Sequence, residues 1–350
     1  MLFGKLRPYL AKAWLADRGG AAVGDFLVLR MSGEMLPRFF QYNLLRPEII
    51  GRLVVASYGS KMPRTSWEEL REIELPIPDL NSQQAILRFL ERETGEIDAF
   101  IRDQEELIGL LKERRAATIN HAVTKGLNPD APMRLTNFLW VEEIPAHWEI
   151  VPFTKLAPQR VDYRGATPTK VEAGVLLVTA RNVKSGYIDY SVSNEFIRPE
   201  DYESVMRRGL PALGDVLLTM EAPLGNVALV DRVDVAFAQR IIKFRLARPN
   251  LPEFAKFAMN ATYFQRQLQS RATGSTALGI KASKLSEFAL AVPPPEEQHQ
   301  ISDYLTAMTA ELDLAMADAL AAIELSRERR SALISAAVMG KIDVRERAGV

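Results

Sequence analysis

Two stretches of the chain place basic and hydroxyl side chains in short loops that begin with Gly-Ser. The first is GSKMPRTSWEELREIELPIP (59–78), with Lys61 and Arg64, and the second is GSTALGIKASKLSEFALAVP (274–293). The second stretch carries Ser275, Thr276, Lys281 and Lys284. Lysine, arginine and small hydroxyl groups are the side chains that hold phosphate oxygens and reach base edges in nucleic acids. Both loops are therefore candidate contacts to DNA.

Two further segments combine cations with small residues in the same way. APQRVDYRGATPTK contains Arg160 and Arg164, which flank a loop that could enter a groove, and TARNVKSG contains Arg181 and Lys184. We predict DNA contact for these four residues as well. The competing interpretation is that all these cations are ordinary solvated charges, because 25% of the chain is charged and its formal net charge is zero. Neutrality argues against broad affinity for nucleic acid but leaves a local basic face possible.

Catalytic and metal-binding patterns are missing from the sequence. The chain has no cysteine, which removes thiolate chemistry and cysteine-ligated zinc. No lysine has an acidic residue two positions before it, as a common metal-dependent nuclease motif would require. Asn128-Pro129-Asp130 departs from an adenine-methyltransferase motif, there is no GxxxxGK[ST] phosphate loop, and the three histidines lack ligand spacing. We expect no catalytic residue, no metal and no cofactor.

The two Gly-Ser stretches belong to one long repeat with an offset of 215 positions, from Gly59 to Gly274. The match continues without a gap through the following segment. Matched pairs are Leu70 and Leu285, Gln83 and Gln298, Ile86 and Ile301, Leu90 and Leu305, Asp98 and Asp313, and Arg115 and Arg330. Solenoid repeats have periods of about 20–50 residues. A period this long indicates a duplicated whole domain together with its connecting element.

The connecting element has the apolar spacing of a long helix in both copies. We predict one spacer helix over 82–125, with Ser82 as its N-cap, and a second over 298–343. The spacing resembles an a/d seam, and the natural partner for each stripe is the other copy, so the sequence predicts an antiparallel coiled coil. The predicted seam residues are Ile86, Leu90, Ile97, Ile101, Ile108, Ile301, Leu305, Met308, Leu312 and Ala315.

The remaining segments predict an α+β protein in which domains of mixed α/β structure are separated by the two helices. After a linker (126–147), residues 148–297 form a complete domain with strand-like stretches at 174–180, 186–192, 214–220, 226–230 and 239–247. Residues 1–81 match only the second half of that domain, since nothing in them corresponds to 148–216. We expect the strands of this partial domain to expose apolar edges. Residues 344–350 form a tail.

These motifs together resemble the specificity (S) subunits of type I restriction–modification systems. The resemblance rests on LFGKLRPYL, GSKMPRTSWEEL, the LPIPDLNSQQ and VPPPEEQ closures and the RRAATINHAVTKG tail, and it spans essentially the whole chain. It implies a non-catalytic subunit with two target-recognition domains that each read half of a split site in double-stranded DNA. It further implies that methyltransferase (M) subunits and restriction/translocase (R) subunits bind to this subunit.

The partial first domain departs from that family pattern and leaves alternatives open. A truncated gene product or a mispredicted start codon is favoured, and a half domain completed by another chain is the third explanation. The protein could also be a remnant that acts only as a coiled-coil docking scaffold, or a half-length S subunit that works as a dimer. The sequence contains no run of 18 uncharged apolar residues and no apolar leader segment, so we expect no membrane contact and a cytoplasmic location.

Overall fold

The computed structural model describes residues 1–31, 33–163, 168–274 and 278–344. The chain divides into two compact units. Unit 1 comprises Met1–Gly109 and Ala315–Val350, and unit 2 comprises Leu110–Leu314. Each of the two long helices contributes one part to each unit, because the first is α4 (Leu80–Lys125) and the second is α9 (Pro295–Val338).

Unit 1 contains a small sheet together with short helices. Strands β1 (Leu2–Gly4), β2 (Ala13–Trp14) and β3 (Phe26–Val28) form an antiparallel sheet in the order β2-β1-β3. The helices are α1 (Pro37–Leu44), α2 (Pro47–Val55) and α3 (Trp67–Arg71). Helices α1 and α2 each begin with proline, which is tolerated in the first turn of a helix because the N–H there is unpaired anyway. Their apolar faces bury Phe39 and Leu53.

Unit 2 contains the same sheet with one additional strand and a covering layer. Its main sheet has the order β11-β10-β13-β7, and a second sheet has the order β12-β8-β9. The strands of unit 2 are β4 (Met133–Leu135), β5 (Glu143–Pro145), β6 (Glu149–Pro152), β7 (Gln159–Asp162), β8 (Val175–Val178), β9 (Phe196–Ile197), β10 (Val216–Met220), β11 (Leu224–Leu229), β12 (Val235–Phe237), β13 (Ile241–Arg245) and β14 (Ala289–Val292). The helices are α5 (Phe153–Leu156), α6 (Tyr202–Val205), α7 (Pro252–Asn260) and α8 (Thr262–Arg271).

The repeat seen in the sequence is present in the strand register. In unit 1, Leu2 is paired with Val28 and Phe3 with Leu27. In unit 2 the equivalent positions of the repeat are paired in the same way, Leu217 with Lys243 and Leu218 with Ile242. The helices α1 and α2 of unit 1 lie at the same offset from α7 and α8 of unit 2. The duplication therefore extends to the backbone pairing of these two strands, whereas β1 and β2 pair one residue out of step with β10 and β11, as Leu2 pairs with Trp14 but Leu217 with Ala228.

Two buried glutamines tie the start of each long helix to the preceding domain. Gln83 accepts a hydrogen bond from the Leu36 backbone N–H at 2.8 Å and donates to the Pro78 carbonyl at 2.8 Å. Gln298 accepts from the Leu251 N–H at 2.9 Å and donates to the Pro293 carbonyl at 3.0 Å. Because buried amides are costly without partners, these bonds fix where each helix leaves its domain.

The long helices pack antiparallel within each unit. In unit 1, Ile86 and Leu90 pack with Ala337 and Val338, while Ile108 packs with Ala319 and Ile323. In unit 2, Val123 and Ala122 lie in the same core as Ile301 and Leu305. The predicted seam residues are buried or half-buried, with Ile101, Met308 and Ala315 only half-buried. The α+β fold with long paired helices is confirmed.

Three details of the prediction are wrong. Asp79, not Ser82, caps α4: its carboxylate accepts from the Ser82 N–H at 3.0 Å and from the Ser82 hydroxyl at 2.7 Å. Helix α9 begins at Pro295, because proline suits a first turn, and ends at Val338, because Gly340 takes a left-handed φ of 68°. Residues 186–192 form no strand, because Asp189 folds its side chain onto the N–H and hydroxyl of Ser191.

Candidate nucleic-acid interface

In unit 2 the Gly-Ser loop closes one end of the main sheet. Thr273 and Gly279 exchange two backbone hydrogen bonds of 2.9 Å, and the Ile280 N–H donates to the Met220 carbonyl at 3.0 Å. The Met220 N–H in turn donates to the Arg240 carbonyl at 2.7 Å. We call this region the Gly-Ser end: residues 220–223, 238–240, 273–274 and 278–281. It brings the loop, the β10–β11 turn and the start of β13 together.

The backbone at the Gly-Ser end is tightly turned. Gly274 has a φ of 127°, a conformation that side chains other than glycine rarely adopt. Gly279 is in close contact with its neighbours, since a Cβ there would approach the Glu221 side chain to 3.3 Å and the Met220 carbonyl oxygen to 3.4 Å. Ala222 and Arg240 also have positive φ, at 45° and 74°. The end of the sheet is therefore built to hold a fixed loop geometry rather than to accept arbitrary residues.

A cleft of about 400 Å³ opens beside this end. It lies at the carboxyl ends of the parallel strands β8 and β12, where Thr179 and Ala238 follow the last strand residues. Lys170, Arg181, Arg240 and Glu195 line it. Glu195 forms ion pairs with Arg181 at 2.7 Å and with Lys170 at 2.8 Å. Crevices at the carboxyl ends of parallel strands are common ligand positions.

The predicted residues Arg181 and Lys281 are brought to this end. Lys184 lies in a turn beside the middle of β11, since the Gly186 N–H donates to the Val227 carbonyl at 2.7 Å. Lys281 directly follows Ile280 and is exposed. Three other candidates, Arg164, Ser275 and Thr276, lie outside the described residues. Sequence reasoning missed Lys170 and Arg240, although the position of Arg240 directly before β13 at a strand end was a usable signal.

Two predicted residues have other surroundings. Lys284 forms an ion pair with Glu287 at 2.6 Å, and Glu287 also accepts from Arg271 at 3.0 Å. Arg160 lies in β7 opposite Phe244, toward the end of β13 that is remote from the Gly-Ser end. It lines a separate cleft of about 630 Å³.

That separate cleft is organised by a buried carboxylate. Asp215 accepts from Lys243 at 2.8 Å and from both nitrogens of a bidentate Arg245 at 2.7 and 2.8 Å. Burial alone would raise the pKa of the Asp215 carboxyl, but the hydrogen bonds from Arg245 and Lys243 outweigh it and lower that pKa below its ordinary value. Lys243 also donates to the Leu210 carbonyl at 2.6 Å, so the group holds the 210–215 loop against β13.

Unit 1 repeats the Gly-Ser end with a different set of charges. Tyr58 and Arg64 exchange two backbone hydrogen bonds of 3.0 and 2.9 Å, and the Arg7 N–H donates to the Pro63 carbonyl at 2.7 Å. The Arg64 side chain forms an ion pair with Asp25 at 3.1 Å. The exposed cations Arg7 and Lys61 flank the loop, as do the predicted Arg64 and the half-buried Lys5. The position of Arg64 is occupied by Gly279 in unit 2.

No metal site accompanies these surfaces in the described ranges, because no group of three or more acidic or histidine side chains there is placed to hold an ion. None of the described helices is long and apolar enough to span a bilayer.

Comparison with known proteins agrees with this architecture. Residues 186–325, which include the Gly-Ser end of unit 2 and part of α9, match a family model described as type I restriction modification DNA specificity domain. This part of the chain is therefore similar to the DNA specificity domain of the type I systems. The predicted resemblance to the specificity subunits of those systems is confirmed.

Three solved structures are similar over most of the chain. A chain from a study of complex assembly and conformational transition of the type I restriction–modification system has a TM-score of 0.74 at 16% identity, covering 96% of this chain and 80% of that one. The HsdS subunit from Thermoanaerobacter tengcongensis has a TM-score of 0.48 at 15% identity, covering 91% and 74%. The S subunit from M. genitalium has a TM-score of 0.41 at 12% identity, covering 87% and 73%. At these identities the first match supports the fold.

Proposed function

We propose that this chain is the non-catalytic subunit that gives a type I restriction–modification complex its DNA sequence specificity. In this proposal the Gly-Ser end of unit 2 contacts the DNA, with Arg181, Lys184, Arg240 and Lys281 as the cations nearest to phosphate or bases. The observation that supports it is the recurrence of the same loop, closed by the same pair of backbone hydrogen bonds, at the same end of the sheet in both units. In each unit exposed cations lie beside that loop.

The chemistry of the region suits recognition rather than catalysis. The cations lie on turns held by backbone hydrogen bonds, so they can be presented to a groove without a large loss of conformational entropy. Glu195 and Glu221 partly neutralise the positive charge at this end through ion pairs with Arg181 and Arg240. A surface of mixed sign reduces nonspecific attraction to the phosphate backbone, and specificity then depends on base contacts. Double-stranded DNA and the M and R subunits are the proposed partners.

The DNA contact is tested with variants of the assembled complex. Arg181→Ala and Lys281→Ala are compared with Arg198→Ala, an exposed cation next to β9 at the opposite end of β8. We expect each of the first two changes to weaken binding severalfold and to reduce the slope of log affinity against log salt by about 1 for each phosphate that the variant no longer neutralises. Arg198→Ala should leave both unchanged. Equal behaviour of all three variants would contradict the proposed interface.

The reading function is tested by mapping methylation. The chain is co-expressed with its methyltransferase subunit in a host without such methylation, and methylated adenines are mapped by long-read sequencing. A split asymmetric motif would support two readers in one chain, and a palindrome would support one reader acting in a dimer. Assembly of the complex without any motif would overturn the reading function and favour the docking scaffold. The exposed sheet face of unit 1, on which Trp14 is 46% and Val28 is 61% exposed, is the observation that favours this second candidate.

A further inference from the structure

The Gly-Ser end of unit 2 places a carboxylate and a guanidinium side by side. Glu221 directly follows β10 and Arg240 directly precedes β13, and Oε2 of Glu221 lies 3.8 Å from Nε of Arg240. That distance is beyond hydrogen-bond range, whereas Arg181 and Glu195 in the neighbouring cleft approach to 2.7 Å. The two side chains are 43% and 50% exposed, and neither is hydrogen-bonded to another of the described residues. The acceptors of Glu221 and the donors of Arg240 are therefore available to a ligand.

The backbone beneath this pair is fixed by hydrogen bonds. The Met220 N–H donates to the Arg240 carbonyl at 2.7 Å, and the Ile280 N–H donates to the Met220 carbonyl at 3.0 Å. Glu221 and Gly279 lie opposite each other in an antiparallel bridge. Two side chains that extend from such a backbone have few relative positions to choose from, so little conformational entropy is lost when both contact one ligand.

Unit 1 has the same backbone bonds at this place and a different distribution of charge. The Lys5 N–H donates to the Asp25 carbonyl at 2.8 Å, and the Thr65 N–H donates to the Lys5 carbonyl at 3.0 Å. These bonds are at the same positions of the repeat as the two bonds of unit 2. The acid is now Asp25, at the position of Arg240, and the cation is Arg64, 3.1 Å from Asp25. An exposed acid–base pair therefore occupies this end in both units, although it is built from different positions.

Gly279 leaves the space that Glu221 occupies. A Cβ added to Gly279 would lie 3.3 Å from Cγ of Glu221 and 3.5 Å from its Cβ, so a side chain there would displace the carboxylate. In unit 1 the position of Gly279 holds Arg64, and the position of Glu221 holds Leu6, which has no charge. The carboxylate of Glu221 and the glycine opposite it thus belong together, and Gly279 is a positioning residue for Glu221.

We propose that Glu221 and Arg240 together read one C·G base pair in the major groove. Cytosine presents its N4 amino group there as a donor, which a glutamate accepts, and guanine presents O6 and N7 as acceptors, which an arginine contacts in bidentate fashion. The two side chains offer this complementary pattern from adjacent positions. The guanidinium also offsets the repulsion between the carboxylate and the DNA phosphates. The inference rests on the proposed DNA-reading function and adds to it the residues and the base pair.

Methylation mapping of variant complexes tests the assignment. Glu221→Gln and Arg240→Ala are each assembled with the methyltransferase subunit, and their methylated motifs are compared with that of the wild type. We expect each variant to become degenerate at one C·G position of the wild-type motif, or at its two symmetric positions in a palindrome, and to keep the other positions. A motif that is unchanged in both variants, or degenerate elsewhere, would overturn the assignment and leave the reading function standing. A wild-type complex without any motif would instead overturn the reading function.

Competition binding to duplexes that carry each of the four base pairs at that position separates base reading from charge. The wild-type complex should prefer C·G by roughly tenfold to a hundredfold, and both variants should lose most of this preference. A change in affinity that is equal for all four base pairs would show that the pair acts only through its charge, and would contradict base reading. Lys281→Ala should show such an equal change, because its expected contact is to phosphate.

Matched controls come from another acid–base pair of unit 2. Arg232 and Asp234 form an exposed ion pair before the start of β12, whereas the Gly-Ser end lies beyond the carboxyl end of that strand. Arg232→Ala and Asp234→Asn should keep the full motif and the preference for C·G. Gly279→Ala should weaken that preference in the same direction as Glu221→Gln, since it displaces Glu221 without removing it. An unaltered preference in Gly279→Ala would refute the positioning role of the glycine.

Discussion

Unit 1 and unit 2 share a backbone plan but differ in what covers it. The pairing of Leu2 with Val28 repeats as Leu217 with Lys243, and the glutamine bonds of Gln83 repeat at Gln298. The β12-β8-β9 layer of unit 2 has no counterpart among the described residues of unit 1. The sheet, its helices and its Gly-Ser loop therefore form one repeated scaffold. In unit 2, residues 141–215 add a separate covering segment to this scaffold.

The covering segment changes the chemistry of the sheet as well as its burial. Val28 of unit 1 is a surface residue, while Lys243 at the same register is buried and bonded to Asp215. A buried lysine is stable only with such a partner, because an unpaired charge in the interior is costly. The scaffold thus tolerates either an apolar exposed residue or a charged buried one at this position, depending on what lies above it.

The largest expected effect comes from removing the anchor of the covering segment. Trp148→Ala should destabilise unit 2 by about 3–5 kcal/mol, because it empties a buried site and leaves Glu297 without an indole donor. Unit 1 should keep its stability, which hydrogen exchange resolved by segment can measure. Trp140→Ala, at a partly exposed tryptophan in the same unit, should change stability by no more than about 0.5 kcal/mol. An equal loss of stability in both units would contradict the view that Trp148 belongs to a covering segment found only in unit 2.

Asp215 provides the next test, through pH. Asp215→Asn should cost unit 2 about 3 kcal/mol near neutral pH, since it leaves the buried Lys243 unpaired. The pKa of Asp215 is lower in the folded state than its ordinary 3.8, so the stabilisation is complete above about pH 4 and is lost as pH falls through the lower folded pKa. Urea unfolding of unit 2 at pH 7 and pH 3 should show the gap between wild type and variant shrinking at the lower pH. A gap that does not depend on pH would contradict this assignment.

The buried glutamines allow the stability of the two units to be compared directly, because Gln83 and Gln298 occupy the same position of the repeat. Gln83→Leu and Gln298→Leu should each cost about 1–3 kcal/mol by leaving buried backbone groups unpaired. Gln83 should cost more, since it also donates to the Glu34 carbonyl at 2.7 Å. Gln84→Leu, at the exposed neighbouring position, is the control and should be close to neutral. A loss confined to one of the two glutamine variants would show that the bonds are alike in geometry but not in energy.

The smallest effect is expected for the ion pairs between the long helices. Asp98 forms an ion pair with Arg330 at 2.8 Å, and Arg115 with Asp313 at 2.9 Å. Each pair has at least one side chain that is 40% or more exposed, Asp98 at 40% and Asp313 at 51%, so each pair should contribute no more than about 1 kcal/mol. Double-mutant cycles with alanine at both positions measure each coupling. We expect similar coupling energies in the two ion pairs. Coupling energies of opposite sign would show that the two pairs are not energetically equivalent.

The sequence predicted the parts of the molecule that depend on periodicity and repetition. The recurrence of the Gly59 loop at Gly274, the two long helices and most of the buried seam follow from spacing along the chain. The cap of α4 could not be chosen from spacing, because Asp79 and Ser82 are both good caps and the path after Pro78 decides between them. The 186–192 stretch alternates like a strand, but the Asp189 turn breaks it.

The candidate interface was predictable only in part. Loop composition pointed to Arg181 and Lys281, which the fold brings to one end of the sheet, and to Lys184, which lies in a turn beside β11. Lys170 joins them through contacts between residues far apart in the chain, and no local pattern carries that information, whereas the position of Arg240 directly before a strand was a usable signal. Arg160 also lies in a basic segment that contains a glycine. The antiparallel pairing of β7 with β13, however, places Arg160 at the end of the sheet opposite to the Gly-Ser end.

The two helix ion pairs have a consequence for the origin of the chain. Asp98 and Asp313 are the same position of the repeat, as are Arg115 and Arg330, and each aspartate bonds the arginine of the other copy. Reciprocal contact of this kind, in which position i meets j and j meets i, is the rule of an isologous dimer. A single ancestral repeat could therefore have made both bridges by self-association, before gene fusion joined two copies and freed each to acquire its own surface.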